Sequence, residues 1–192
     1  EDVPLFGLVT RLYWQKGVDM LLDALDRVME QDIQLVVLGS GDPDLERRVN
    51  DCIARYPGKV GVYLGYNNPL SHLIIAGSDF FLMPSRYEPC GLTQLYALAY
   101  GSIPLVHRTG GLADTVKDCN PLHLRRGDAT GISYVPFTAM ALAGAMEKAV
   151  ALYEDPGLKT QVQLTGMRQS FSWERAAHDY ITLYEQAMNE AS

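Results

Sequence analysis

The sequence predicts an α/β fold, a parallel sheet of six strands with helices on both faces. Two observations predict it. Short apolar β-rich runs alternate with longer stretches of helical period, and most of the runs are apolar at every position, as strands buried on both faces must be.

The expected strands are 5–10, 34–39, 60–64, 79–83, 103–107 and 131–135. Between the first two, Val18, Leu21, Leu22, Leu25, Val28 and Met29 recur at steps of three and four, the stripe of one helix face. Leu45, Val49, Cys52, Ile53 and Tyr56 repeat the device in the next helix. Asp42-Pro43, Asn68-Pro69 and Asp155-Pro156 mark helix starts. In each the first side chain accepts from unpaired first-turn amides, and proline occupies a position whose N–H would have no partner. The stretch 117–130 is the least regular and reads as a loop before the sixth strand. A last helix, 172–191, with Ser172 as its N-cap, carries Trp173, Ala176, Ala177, Tyr180, Ile181, Tyr184, Ala187 and Met188 on one face. That stripe needs a surface, and in this chain alone it is expected to be partly exposed or paired with a second copy.

A length of 192 residues fits one domain, 1–192. The chain opens Glu1-Asp2-Val3-Pro4 and runs at once into an apolar stretch, without an initiator Met or a leader pattern, so it is expected to be a piece of something longer. No segment approaches the ~20 consecutive apolar residues of a membrane span, and no membrane partner is expected. A net charge of −7 argues against nucleic acid and anionic lipid, so a phosphate site must come from a few focused cations. Cys52, Cys90 and Cys119 are widely spaced and contain no C-x-x-C, which suits neither a disulfide framework nor zinc and points to a reducing compartment.

In open parallel sheets ligands bind beyond the carboxyl ends of the strands, so the loops there are the places to look. After the first strand, Arg11 and Lys16 stand five residues apart in a turn before a helix. They either clamp a diphosphate or decorate a solvated loop. After the second, Gly39-Ser40-Gly41-Asp42-Pro43-Asp44 lacks the third glycine of a dinucleotide fingerprint and sets carboxylates at the helix start, so it reads as a turn and a cap. After the third, Tyr66 either packs or stacks on a nucleobase. The fourth leads into Ser85-Arg86-Tyr87-Glu88-Pro89-Cys90-Gly91-Leu92-Thr93-Gln94. There the amides of Gly91, Leu92 and Thr93 offer an anion site at a helix start, and Glu88 beside them suits sugar hydroxyls. Cys90 has no partner base and is expected to pack or to position backbone. After the fifth, Gly110 and Gly111 either admit a ligand close to the backbone or make an ordinary turn. His72, His123 and His178 show no ligand spacing, and no metal is assigned.

The run from Ser85 to Gln94, together with Thr10-Arg11-Leu12, Gln15-Lys16-Gly17, Leu70-Ser71-His72, Thr109-Gly110-Gly111-Leu112-Ala113-Asp114-Thr115 and Phe171-Ser172-Trp173, closely resembles bacterial glycogen synthases and plant starch synthases in order and spacing. The resemblance implies the Rossmann-like C-terminal lobe of a two-lobed GT-B hexosyltransferase. That enzyme moves glucose from ADP-glucose to the non-reducing end of an α-1,4-glucan with retention, in bacterial cytoplasm or plastid stroma, and uses no cofactor beyond its donor. Carried onto matching positions, Arg11 and Lys16 neutralise the diphosphate with the amides of Gly91, Leu92 and Thr93. Tyr66 lies against adenine, Glu88 holds the glucose hydroxyls, and Gly110-Gly111 borders the sugar cleft. The N-terminal lobe's Lys-Thr-Gly-Gly-Leu loop and histidine are absent, so the isolated lobe is expected to bind nucleotide without turnover, its helix 172–191 reaching toward the missing lobe. Tyr96 stands where related transferases carry a second glutamate, a departure that suits the glycogen and starch synthase branch. Two rival readings are a GT-B enzyme using a UDP-sugar or phosphate, and a non-catalytic glucan-binding or scaffold domain.

Overall fold

The computed structural model describes residues 3–190. Glu1, Asp2, Ala191 and Ser192 lie outside the described residues, as do the side chains of Arg175, Ala176 and Glu190. The strands are β1 (Leu5–Val9), β2 (Gln34–Gly39), β3 (Val60–Leu64), β4 (Phe80–Met83), β5 (Ile103–His107) and β6 (Ile132–Tyr134). They form one sheet in the order β3-β2-β1-β4-β5-β6, with every neighbouring pair parallel. From β1 the chain winds outward through β2 to β3, then returns to β4 beside β1 and winds the other way. The loops leaving β1 and β4 therefore diverge and open a crevice at the carboxyl ends of these strands.

The helices are α1 (Val18–Val28), α2 (Pro43–Arg55), α3 (Asn68–Gly77), α4 (Thr93–Tyr100), α5 (Gly110–Thr115), α6 (Pro121–Arg126), α7 (Ala139–Tyr153), α8 (Pro156–Met167) and α9 (Trp173–Glu190). β4 shows why its residues are apolar throughout. Phe80 and Leu82 enter a core shared with α1, α2 and α7, while Phe81 and Met83 enter a second core shared with α3, α4 and α5. Helix α8 crosses the opposite end of the sheet, where Lys159 Nζ pairs with Asp79 Oδ1 at 2.5 Å and Gln163 Nε2 donates to the Gly101 carbonyl at 2.7 Å.

The expected helix faces are recovered with corrections at their margins. Val18, Leu21, Leu25, Val28 and Met29 are buried on and beside α1, and Leu45, Val49 and Cys52 on α2. Ile53 is 41% exposed, and Tyr56 ends α2 as its C-cap instead of continuing the stripe. Asp42 and Asp155 cap as expected, through bonds to the amides of Asp44, Leu45 and Leu158. The α3 cap is Asn67, whose Oδ1 accepts from Leu70 N at 3.0 Å, so Asn68 is the first helical residue and not the cap. The stretch 117–130 is not simply a loop, because it holds α6, capped by Asn120 in front of Pro121. β3 is an edge strand, and Tyr63 and Leu64 are 42% and 41% exposed, so it departs from the fully buried pattern. Along α9, Trp173, Tyr180, Ile181, Tyr184 and Met188 are all more than half exposed.

Candidate functional site

Two loops that the topology brings together build the crevice. After β1, Trp14, Gln15 and Lys16 form one turn of 3-10 helix, and Gly17, at φ +69°, passes the chain into α1. A Cβ on Gly17 would lie 1.8 Å from the Pro84 carbonyl oxygen, so the turn rests on the loop after β4 at a distance that glycine alone permits. Arg86 N donates to the Gln15 carbonyl at 2.9 Å, and Gln15 Nε2 donates to the Tyr87 carbonyl at 3.3 Å.

This junction sets Lys16 against Glu88, Nζ to Oε2, at 2.5 Å, with the two side chains 18% and 11% exposed. Ser85 Oγ donates to the same oxygen at 3.3 Å. His107, at the end of β5, donates from Nδ1 to the Ser85 carbonyl at 2.8 Å and so ties the loop to the sheet. Glu88 Oε1 has no partner among the described residues and is not sealed from the surface. Thr10, Lys16, Ser85, Glu88 and Thr93 line one cavity of about 20 Å³.

The start of α4 completes the arrangement. Its N-cap, Leu92, supplies no side-chain acceptor, and the amides of Gly91, Leu92, Thr93 and Gln94 donate to no acceptor among the described residues. Unpaired amides at a helix start carry the positive end of the helix dipole and suit a phosphate oxygen. Gly91 holds φ +73°, and beneath it Gln94, fully buried, donates from Nε2 to the carbonyls of Cys90 and Gly91 and to Thr115 Oγ1 at 3.0, 3.2 and 3.2 Å. One buried amide thus sets the shape of the amide cluster and fastens it to α5.

The glycine pair packs closely on the protein's own backbone. A Cβ on Gly110 would lie 2.2 Å from the Glu88 carbonyl oxygen, and one on Gly111 would lie 2.3 Å from that of Cys90. Gly111 N donates to the Glu88 carbonyl at 3.0 Å. The backbone these glycines admit is the protein's own, and α5 braces the loop that carries Glu88.

Lys16, Glu88 and Thr93 thus line one small cavity, and the Gly110-Gly111 turn packs on the loop from Glu88 to Cys90. Arg11 and Tyr66 form no hydrogen bond or ion pair with them among the described residues. Arg11 is exposed, 5.8 Å from the Tyr13 ring centroid. Tyr66 is 87% exposed beyond β3. Cys90 is exposed, with Sγ 3.4 Å from the Gly91 carbonyl, whereas burial pushes the Cys119 thiol up to about 12 and raises that of Cys52. His107 and Gln94 also shape the site, and the sequence alone does not mark them. Their only signals are position, one ending a strand on the ligand side and the other lying in the first turn of the helix behind the polar cluster.

Residues 1–163 match the family described as Glycosyl transferases group 1. The chain is 49% identical over 186 residues to a glycogen synthase of Thioalkalivibrio sulfidiphilus, covering 96% of this chain and 38% of that protein. It is 50% identical over 190 residues to glycogen synthase 1 of Rhizobium radiobacter, covering 99% and 40%. It thus spans about two fifths of the length of these relatives. Among solved structures it superposes on the catalytic domain of starch synthase IV from Arabidopsis thaliana, bound to ADP and acarbose, with a TM-score of 0.85 and 34% identity, covering 98% of this chain and 39% of that one. The fold is that of the C-terminal Rossmann-like lobe of a GT-B glycosyltransferase, and the chain belongs to the group 1 glycosyl transferases, with its kinship among the glycogen and starch synthases.

Proposed function

We propose that this chain is the donor-binding lobe of an ADP-glucose-dependent synthase that extends the non-reducing end of an α-1,4-glucan with retention. The observation that carries the reading is the meeting of Lys16, Glu88 and the unpaired amides of residues 91–94 at the switch in strand order. An ammonium has three donors, and one is held by Glu88, so Lys16 can bridge the carboxylate and a diphosphate. The amides take the remaining phosphate oxygens, and Glu88 Oε1 is left for hydroxyls of the transferred glucose. As the bond from the anomeric carbon to the diphosphate oxygen breaks, its electron pair leaves with ADP. Cations and dipoles fixed in advance around that oxygen favour the transition state over the bound donor. No metal or further cofactor is called on in this reading.

In the same proposal Arg11 swings from the crevice mouth onto the diphosphate, Tyr66 covers the adenine, and Cys90, Gly110 and Gly111 shape the backbone around the sugar. The whole chain is one lobe, and the exposed stripe of α9, with Trp173, Tyr180, Ile181 and Tyr184, docks on the second lobe of the enzyme. Acceptor glucan and the reacting geometry need that second lobe, so this chain binds nucleotide without turnover. An exposed thiol at Cys90 suits cytoplasm or plastid stroma. Calorimetric titration of the chain with ADP-glucose, UDP-glucose and inorganic phosphate is the test. Preference for ADP-glucose supports the proposal, preference for UDP-glucose or phosphate reassigns the donor, and silence toward all three refutes it.

A further inference from the structure

Arg86 lies within the polar run that also carries Glu88 and Gly91, and the protein itself engages its guanidinium. Its guanidinium is sandwiched between the rings of Trp14 and Phe137, 4.3 and 4.5 Å from their centroids. At its edge Nε donates to the Trp14 carbonyl at 3.2 Å, and a terminal nitrogen pairs with Asp19 Oδ2, both side chains of that pair being 21% exposed. Asp19 Oδ1 is buried without a partner, so this carboxylate depends on the guanidinium for compensation. The cation is thus spent on the protein. It ties three segments together: the turn bearing Lys16, the first turn of α1 through Asp19, and the stretch before α7 through Phe137. Its own backbone N–H adds the bond to Gln15.

We infer that Arg86 is a positioning residue, a weld that holds Lys16 at the distance from Glu88 and the 91–94 amides that a diphosphate requires. The inference rests on the donor-binding reading above. Lysine at position 86 would keep the charge but not the planar stack or the Nε bond, because an ammonium is a point charge without a flat face. The expected consequence is a Lys16 turn that is still folded but no longer fixed.

The test is a double-mutant cycle on this chain, with ADP affinity measured by calorimetry for wild type, Arg86→Lys, Lys16→Ala and the double variant. Amide hydrogen exchange is followed at Lys16, Gly17 and Arg86, whose N–H groups bond within the weld. Arg86→Lys is expected to speed exchange at these amides and to weaken ADP by about tenfold, but by less than about twofold once Lys16 is gone, since residues acting through one another are not additive. An equal factor in both backgrounds, or unchanged affinity, overturns the inference and leaves the functional reading standing. A wild-type chain that does not bind ADP overturns both, whatever the amides report. Should Arg86→Lys not fold, Asp19→Asn enters the same cycle with the same criteria.

Discussion

Lys16 and Glu88 are 72 residues apart in sequence, and Nζ and Oε2 are 2.5 Å apart in space. The pair has two separable roles under the proposed function. Lys16→Ala removes a charge that should act chiefly in the transition state, so in the enzyme completed by its other lobe kcat/KM is expected to fall by about a hundredfold or more. Glu88→Gln removes a negative charge beside the diphosphate and leaves Lys16 free to turn fully onto it. ADP affinity should therefore hold or rise, while the extra affinity for ADP-glucose over ADP should shrink. Titrations of both ligands against the Gln variant check this, and a parallel loss of both affinities would show that Glu88 serves the fold and not the sugar.

How far such a pair is legible in sequence depends on which physical rule carries each part. The strands were legible because burial on both faces demands unbroken apolar runs, and Phe80 to Met83 serve two cores at once. The crevice was legible because ligand loops follow strands in such sheets. The ion pair was not, since it exists only through the adjacency of β1 and β4 and the contact of Gly17 with Pro84. Nor was the packing of Gly110 and Gly111 on the carbonyls of Glu88 and Cys90, because a sequence shows that a backbone can be approached but not by what. Asn120-Pro121 carries the same start signal as Asp42-Pro43, yet the six residues of α6 give no helical pattern in the sequence, because none of them is buried and so no apolar stripe forms.

Gly17 and Gly58 share a left-handed backbone, at φ +69° and +77°, but Gly58 has open space where its side chain would be. Gly58→Ala should cost only the conformational strain, about 1–2 kcal/mol. Gly17→Ala adds a clash with the Pro84 carbonyl, so it should cost clearly more and should also weaken nucleotide binding by pushing the two loops apart. Urea unfolding of the two variants measures the difference, and equal losses would contradict the close seating of the turn.

Asp128 accepts from His123 Nδ1 and from Lys117, and these bonds hold its carboxyl below the usual carboxylate range, the His123 bond contributing most. A carboxyl depressed in the folded state stabilises the fold above its unfolded value, near 3.9, and that contribution is lost as pH falls through the folded value. Asp128→Asn should therefore be less stable than wild type at neutral pH, and the gap should close below about pH 4. Unfolding midpoints measured from pH 7 to 3 test the sign, and a gap that widens toward acid would rule the assignment out.

Gln94 is fully buried, and its Nε2 serves Cys90, Gly91 and Thr115 at once while Oε1 has no partner. Gln94→Leu keeps the volume roughly but strands those half-buried acceptors, which should cost about 1 kcal/mol or more of stability. Gln94→Glu should be worse, because an ionised carboxylate would face two carbonyl oxygens and would lie under the amides proposed to hold phosphate. The two variants should then separate fold from function: both lose stability, but the Glu variant should lose ADP affinity by a larger factor than its stability loss accounts for. If calorimetry shows the Leu and Glu variants binding ADP equally well, the 91–94 amides are not the phosphate cradle, since a negative charge placed beneath that cradle must weaken it.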